Sequence, residues 1–140
     1  MFQIFQYNTY MYNILVIDDD PDILDVICDL LEVKYECSLD RALNGEEALQ
    51  KTNSKKYDLI CTDHRMPIVN GGKFVVYLRG REGLNQQTPI LIITGHYDKV
   101  KQYQMALKHV YVHVKPVIPQ ELYSICDLAL TGVTQDLLDK

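Results

Sequence analysis

Short apolar runs alternate along this chain with longer segments of helical periodicity. Four runs are continuous and rich in β-branched residues, at positions 14–17, 59–61, 90–93 and 110–114, and a weaker one covers 37–42. Continuous runs of this kind are typical of strands that are covered on both faces. The pattern therefore predicts five short strands, most of them buried.

The segments between these runs predict helices. From position 23 to 31 the apolar residues recur at steps of one, three and four, which places them on one face of a helix. Asp20 and Pro21 suit its first turn, because an aspartate caps free amides and a proline fits the first helical position. Further helices are predicted after Asn44 and over 72–79, 97–107 and 119–130. Strict alternation of strands and helices indicates an α/β fold, a parallel sheet with helices on both faces.

Composition narrows the class of protein without indicating a function. The chain has 140 residues and a net charge of −5, from 19 acidic and 14 basic side chains. That length fits one domain, since domains commonly have ~100–150 residues. Net negative charge argues against a nucleic acid partner, and the short apolar runs are far below the ~20 residues that cross a membrane. The four cysteines form no C-x-x-C pair, so we expect reduced thiols and a cytoplasmic location.

Polar residues follow four of the predicted strands at the point where each strand ends. Asp18 and Asp19 follow the first strand, Asp63 the third, Thr94 the fourth and Lys115 the fifth. Each residue alone could be a cap, a turn former or a surface charge. In open α/β sheets, however, ligands bind beyond the carboxyl ends of the strands, and these residues all lie there. The sequence thus predicts one site at this edge of the sheet.

Several carboxylates at one site require positive charge beside them. Two carboxylates ~4 Å apart repel by about 4 kcal/mol at an effective dielectric constant of ~20. Lys115 supplies one positive charge, and a divalent cation would supply two, Mg²⁺ or Mn²⁺ being better suited than zinc to oxygen ligands. An ionised aspartate in that setting can attack phosphorus and form an aspartyl phosphate. Hydroxyl and ammonium groups would then hold the transferred oxygens.

The ordered set of motifs resembles the response-regulator receiver domain of two-component signalling, the CheY-like superfamily, over roughly residues 12–130. The motifs are ILVIDDDP at 14–21, NGEEAL at 44–49, YDLICTDHRMP at 57–67 followed by Gly71, ITG at 93–95 and KP at 115–116. The resemblance implies a flavodoxin-like (βα)5 doubly wound sheet with strand order 2-1-3-4-5. It divides the chain into an N-terminal extension (1–12), a receiver domain (13–130) and a C-terminal tail (131–140).

The resemblance also implies a role for each matched residue. Asp63 would be the phosphoacceptor, taking a phosphoryl group from a sensor histidine kinase or a phosphotransfer protein. Asp18, Asp19 and Asp63 would bind Mg²⁺ (Mn²⁺ being possible) together with the backbone carbonyl of Arg65; Asp19 would bind it directly and Asp18 largely through water. The protein would not be an enzyme beyond its own phosphorylation and dephosphorylation.

Thr94 and Lys115 would contact the phosphoryl oxygens. The signal would leave through the face formed by the fourth helix, the fifth strand and the fifth helix, by contact with a further protein. The resemblance is compatible with a monomer or with a phosphorylation-dependent dimer.

The chain departs from the family pattern around its predicted fifth strand. Three positions before the lysine, where the family usually has an aromatic residue, it has Val112, and strand alternation turns Tyr111 and His113 to the other face. Arg65 and His96 stand two residues beyond Asp63 and Thr94, where the family tunes phosphate loss. We hypothesise that these two side chains shield the acyl phosphate from water, the alternative being two ordinary exposed loop residues.

Two other functions are compatible with parts of the pattern. An aspartate-nucleophile phosphatase of the haloacid-dehalogenase type also combines Asp, Thr, Lys and Mg²⁺ on a parallel sheet, but it needs a late acidic pair, and no strand end after Lys115 offers one. A receiver-like adaptor that is not phosphorylated is the second alternative. Such adaptors tend to lose the acceptor or metal-binding acids, all of which are present here.

Overall fold

All five predicted strands and all five predicted helices form in this computed structural model, which describes residues 10–132. The strands are β1 (Tyr12–Ile17), β2 (Cys37–Ala42), β3 (Leu59–Asp63), β4 (Ile90–Thr94) and β5 (Val110–Val114). The helices are α1 (Pro21–Lys34), α2 (Gly45–Ser54), α3 (Gly71–Gly80), α4 (Tyr97–Ala106) and α5 (Pro119–Thr131). Most of the predicted extension and tail lies outside the described residues.

The strands form one parallel sheet in the order β2-β1-β3-β4-β5, as predicted. Ile17 pairs with Thr62, and Asp63 pairs with Ile93, so the carboxyl ends of the central strands lie side by side. The chain reverses direction across the sheet between β1 and β3, which is where this class of fold binds its ligands. The confirmed strand order therefore brings the polar strand ends together.

Each face of the sheet carries its own hydrophobic core. Leu15 and Ile17 point to the side covered by α2, α3 and α4, whereas Ile14 and Val16 point to the side covered by α1 and α5. These four side chains are at most 1% exposed. Because both faces are covered, the strands are continuous in hydrophobicity rather than alternating. No helix within residues 10–132 is long and apolar enough to cross a membrane.

Side-chain caps start the helices close to the strand ends. The carboxylate of Asp20 accepts a hydrogen bond from the Asp22 amide at 2.9 Å, and Asn70 accepts one from the Lys73 amide at 2.8 Å. Each cap satisfies an amide that has no partner within its own helix. The caps thereby set where α1 and α3 leave the edge of the sheet that carries the predicted site.

At the opposite edge, the amino ends of the strands are joined by the buried side chain of Asn85. Its Oδ1 accepts from the Tyr57 amide at 2.8 Å and from the Thr88 hydroxyl at 3.0 Å. Its Nδ2 donates to the carbonyls of Thr52 at 2.7 Å and Lys55 at 2.8 Å. One amide side chain thus ties the end of α2 to the segments that enter β3 and β4.

Arg79 makes a second hydrogen-bond network at the same edge of the sheet, beside the starts of β4 and β5. Its guanidinium donates to the carbonyls of Gln86, Thr88, Lys108 and His109 at 2.7–3.1 Å. Burial lowers the pKa of Arg79. The side chain therefore links α3 to the starts of β4 and β5 through backbone acceptors.

Candidate functional site

Three carboxylates meet where β1 and β3 end. Asp18, Asp19 and Asp63 each offer one oxygen, and these oxygens all lie within 4.8 Å of one another. Asp18 and Asp63 are buried, whereas Asp19 is exposed. Like charges this close raise one another's proton affinity unless a cation joins them. The arrangement therefore favours a bound cation or a shared proton.

Asp18 carries the clearest electrostatic signature of the site. Its Oδ1 accepts from the Asp20 amide at 2.9 Å, while its Oδ2 is buried without a hydrogen-bond partner among residues 10–132. Burial raises the pKa of Asp18 from 3.8 to about 6, and the charge of Asp63 acts in the same direction. An orphaned buried oxygen within an all-oxygen donor set fits a hard divalent cation such as Mg²⁺.

Lys115 brings positive charge to the cluster from the end of β5. Its Nζ lies 3.6 Å from Oδ1 of Asp63, and its side chain is 25% exposed. The Lys115 amide donates to the Thr94 carbonyl at 2.8 Å, which anchors the residue to β4, and the peptide bond to Pro116 is cis. The separation from Asp63 is longer than a hydrogen bond, so this contact is an ion pair.

Thr94 is the last residue of β4 and is fully buried. Its hydroxyl accepts from the His96 amide at 3.0 Å, so it stabilises the turn that leads into α4. β4 lies between β3 and β5, the strands that carry Asp63 and Lys115. The structure thus places Thr94 beside the site, and its predicted contact with the phosphoryl group stays a prediction.

The path of the backbone explains why position 71 of the site motif is a glycine. A Cβ atom at this position would lie 2.5 Å from the carbonyl oxygen of Asp63, a distance at which the backbone must shift. The Gly71 amide donates to the His64 carbonyl at 2.9 Å. Because only glycine permits this approach, α3 can begin directly against the end of the strand that carries Asp63.

His64 is a buried residue of this site to which the sequence pattern assigned no role. Its Nδ1 accepts from the Gly72 amide at 3.2 Å. A Cβ atom on Gly72 would lie 2.3 Å from the ring of Tyr103, so the tyrosine of α4 rests on the backbone of α3 at this point. The centroids of the His64 and Tyr103 rings are 6.3 Å apart. The motif places His64 next to Asp63, but its contact with α4 depends on how the helices pack.

Two cationic or titratable side chains meet at the rim of the site. Nη1 of Arg65 lies 3.2 Å from Nε2 of His96, which joins the loops that follow β3 and β4. The structure thereby brings together the two residues that we hypothesise to shield the phosphate. The carbonyl of Arg65 lies in the loop that follows Asp63, and its role as a metal ligand stays a prediction.

On β5, Val112 stands where the family usually has an aromatic residue, and it lies on the face that α4 covers. Val112 packs on the face of the sheet that α4 covers, together with Tyr103 and Leu107, whereas Tyr111 packs on the opposite face. The predicted alternation along β5 is thus observed. Tyr103 is thus one of several aromatic side chains, with Tyr57, Phe74 and Tyr77, in the core on this face.

Comparison with known proteins agrees with this architecture. The family model described as the response regulator receiver domain matches residues 14–127. Among curated proteins, the probable transcriptional regulator ycf29 of Porphyra purpurea is 33% identical over 117 residues, which cover 81% of this chain and 54% of that protein. The chain thus spans about half the length of this relative.

Solved structures show the same fold. The chemotaxis protein CheY4 of Vibrio cholerae is 30% identical with a TM-score of 0.75, and the alignment covers 86% of this chain and 100% of CheY4. The receiver domain of the sensor histidine kinase PA1611 of Pseudomonas aeruginosa, described with magnesium coordinated in its active site cleft, is 22% identical. That alignment has a TM-score of 0.76 and covers 89% of this chain and 100% of the neighbour. The matches favour neither the haloacid-dehalogenase-type phosphatase nor the adaptor.

Proposed function

The chain belongs to the response regulator receiver family of two-component signalling, and on that premise we propose that Asp63 accepts a phosphoryl group from a histidine kinase or a phosphotransfer protein. One observation carries this assignment: the carboxylate of Asp63 lies beside two further acids and 3.6 Å from the ammonium of Lys115. A carboxylate held among like charges and a single lysine is suited to receive a strongly anionic group together with a cation.

The transfer is an in-line displacement at phosphorus. An Oδ atom of Asp63 forms the new O–P bond while the P–N bond to the donor's histidine breaks, and the imidazole leaves with the electron pair. Lys115 pairs with the Asp63 carboxylate before the transfer and with the transferred oxygens after it. Asp18, Asp19, Asp63 and the carbonyl of Arg65 would hold Mg²⁺, or alternatively Mn²⁺, which would supply further positive charge at the site.

Thr94 connects phosphorylation to the surface of the protein in this proposal. Its hydroxyl accepts from the His96 amide, immediately before α4. We propose that the hydroxyl donates to a phosphoryl oxygen once Asp63 is phosphorylated, which draws the start of α4 toward the site. A threonine hydroxyl suits this exchange because it can donate and accept at the same time.

The face formed by α4, β5 and α5 is the proposed output surface. It exposes Met105 on α4 (82%), Val114 on β5 (45%) and Ile118 at the start of α5 (42%). Apolar side chains on the helix that Thr94 adjoins are suited to a protein partner. We propose contact with a downstream protein or with a second copy after phosphorylation, and neither nucleic acid nor a membrane as partner.

The remaining assignments rest on the same premise. We propose that residues 13–130 form the receiver unit and that the protein converts no external substrate. The free cysteines Cys28, Cys37, Cys61 and Cys126 support a reducing, cytoplasmic location.

Phosphoryl uptake from a small donor tests the proposal directly. The protein is incubated with acetyl phosphate or phosphoramidate and Mg²⁺, and its intact mass is measured. We expect a gain of one phosphoryl group that is absent in Asp63→Asn and retained in the control Asp29→Asn, which changes an exposed acid of α1. No gain in the wild-type protein, or a gain that persists in Asp63→Asn, contradicts the assignment.

A further inference from the structure

His113 is a buried histidine close to the site that the transfer chemistry leaves unused. It is the fourth residue of β5, two positions before Lys115, and only 2% of its side chain is exposed. Strand alternation directs it toward α5, away from the face that Val112 occupies. A buried imidazole requires hydrogen-bond partners, so its contacts indicate what it does.

The imidazole binds the backbone at the start of α5. Its Nε2 accepts from the amide of Ile118 at 3.2 Å. Ile118 is the N-cap residue of α5, and it makes no side-chain cap bond. His113 therefore satisfies an amide at a helix start where the local sequence provides no capping side chain.

This hydrogen bond closes the loop that carries Lys115. The loop is held at one end by the Lys115 amide, which donates to the Thr94 carbonyl at 2.8 Å, and at the other end by the bond from Ile118 to His113. The backbone of Lys115 thus lies between two anchors, one on β4 and one on β5. Its side chain leaves this clamped segment toward Asp63.

Accepting a hydrogen bond from the Ile118 amide requires that Nε2 of His113 carry no proton. Burial lowers the pKa of His113, against the opposing effect of Glu121, and this keeps the imidazole neutral with Nε2 free to accept. The proton then resides on Nδ1, which lies 3.8 Å from Oε2 of Glu121. Glu121 is exposed and too distant for a hydrogen bond, so the backbone amide is the principal partner.

We propose that His113 is a positioning residue for phosphoryl transfer: its hydrogen bond to Ile118 fixes the β5–α5 loop and so aims the ammonium of Lys115 at Asp63. This inference rests on the proposed function. Alignment of a charged group with the reacting oxygens is sensitive to small displacements, and an error of ~1 Å can cost about 100-fold in rate. A hydrogen bond that holds the lysine's loop in place can therefore control the reaction without touching the phosphoryl group.

The test compares two replacements at position 113. His113→Leu keeps apolar volume and loses the acceptor, whereas His113→Gln keeps an acceptor oxygen within reach of the Ile118 amide. With acetyl phosphate and Mg²⁺, we expect Asp63 to be phosphorylated about tenfold more slowly or worse in His113→Leu and within about threefold of wild type in His113→Gln. The control Glu121→Gln removes the more distant contact and should phosphorylate like wild type.

Two further measurements separate positioning from a general loss of structure. The affinity for Mg²⁺ alone should be the same in the His113 and Glu121 variants, because its proposed ligands lie just after β1 and at the end of β3. In a Lys115→Ala background, His113→Leu should slow phosphorylation no further, because it acts through the lysine. Nitrogen NMR of the wild-type ring should show Nε2 unprotonated and hydrogen-bonded, a result that needs no variant to fold.

Each contrary outcome contradicts either the positioning role of His113 or the proposed function. Equal rates for wild type and His113→Leu, a further loss in the Lys115→Ala background, or a proton on Nε2 would overturn the positioning role. Equal losses in the Leu and Gln variants together with a lower melting temperature would show a structural role only, and would overturn it as well. A wild-type protein that takes up no phosphoryl group fails the proposed function itself, which distinguishes that failure from the others.

Discussion

The two edges of the sheet treat their polar groups in opposite ways. At the amino ends of the strands, the side chain of Asn85 makes four hydrogen bonds and Arg79 donates to four carbonyls. At the carboxyl ends, three carboxylates crowd together and one oxygen of Asp18 is buried without a partner among the described residues. The polar groups of the first edge find their partners within the fold itself. The carboxylates of the second edge would be balanced by the cation proposed above.

This difference has an energetic consequence. A buried neutral amide with all its partners stabilises the fold, because its loss would strand several donors and acceptors. A buried acid among other acids opposes folding when it is ionised, which is why the pKa of Asp18 is raised. We therefore expect stability to depend on the amino edge and function to depend on the carboxyl edge.

The largest expected effect on stability is at the amino edge. Asn85→Leu removes both the acceptor for the Tyr57 amide and the donors for the carbonyls of Thr52 and Lys55. We expect the free energy of unfolding to fall by about 3–5 kcal/mol, measured by chemical denaturation. The matched control is Asn53→Leu, the same change at an exposed position of α2, for which we expect about 0.5 kcal/mol or less. Similar losses in both variants would show that the Asn85 network contributes little.

At the carboxyl edge, we expect the replacement of a buried acid to increase the free energy of unfolding. The pKa of Asp18 is 3.8 when unperturbed and about 6 in the fold, so the folded state binds this proton more tightly. The contribution of Asp18 to stability therefore declines as pH rises from about 4 through about 6, and it stays reduced above that range. Without Mg²⁺ at pH 8, Asp18→Asn should raise the free energy of unfolding by about 1–2 kcal/mol, and the gain should vanish below pH 4.

The same variant should behave differently when the cation is present. Wild type should be stabilised by added Mg²⁺, and Asp18→Asn should respond much less, because a proposed ligand has lost its charge. Asp20→Asn is the control, since asparagine caps a helix as well as aspartate does. A destabilised Asp18→Asn protein at pH 8 without Mg²⁺ would contradict the raised pKa.

The smallest expected effect is at the rim of the carboxyl edge. Arg65→Ala and His96→Ala each remove one partner of the pair that spans the mouth of the site. Exposed pairs of this kind contribute less than about 1 kcal/mol, so we expect phosphate loss from Asp63 to accelerate by at most about fivefold. The half-life of the phosphoprotein, followed by intact mass, measures it, with Arg81→Ala as the control because that arginine contacts Tyr77 instead. Unchanged half-lives would show that Arg65 and His96 are ordinary exposed loop residues that do not shield the phosphate.

Much of the fold could be predicted from local pattern. Continuous apolar runs located the strands to within two residues, and caps such as Asp20 located the helix starts. The acids at strand ends could be placed together because parallel strands align their carboxyl ends. These inferences succeeded because each depends on residues close together in the chain or on a general property of parallel sheets.

Contacts between distant segments could not be predicted in this way. Asn85 binds groups 28 to 33 residues earlier in the chain, and nothing in its immediate neighbourhood marks it as buried. The close contact of the Tyr103 ring with Gly72 likewise depends on how α3 and α4 pack. Val112 could be recognised as unusual from the sequence, but the side chains that share its core could not.

The sequence by itself determined an alternating α/β chain and the acids, hydroxyl and lysine that lie at its strand ends. Only the tertiary structure decided which of these atoms are near one another, which oxygen of Asp18 is left without a partner, and that His113 binds the loop of Lys115. The physical reason is that hydrophobic periodicity is a local property of the chain. Electrostatic interaction and hydrogen bonding depend on distances in space, which only the packing of the helices against the sheet establishes.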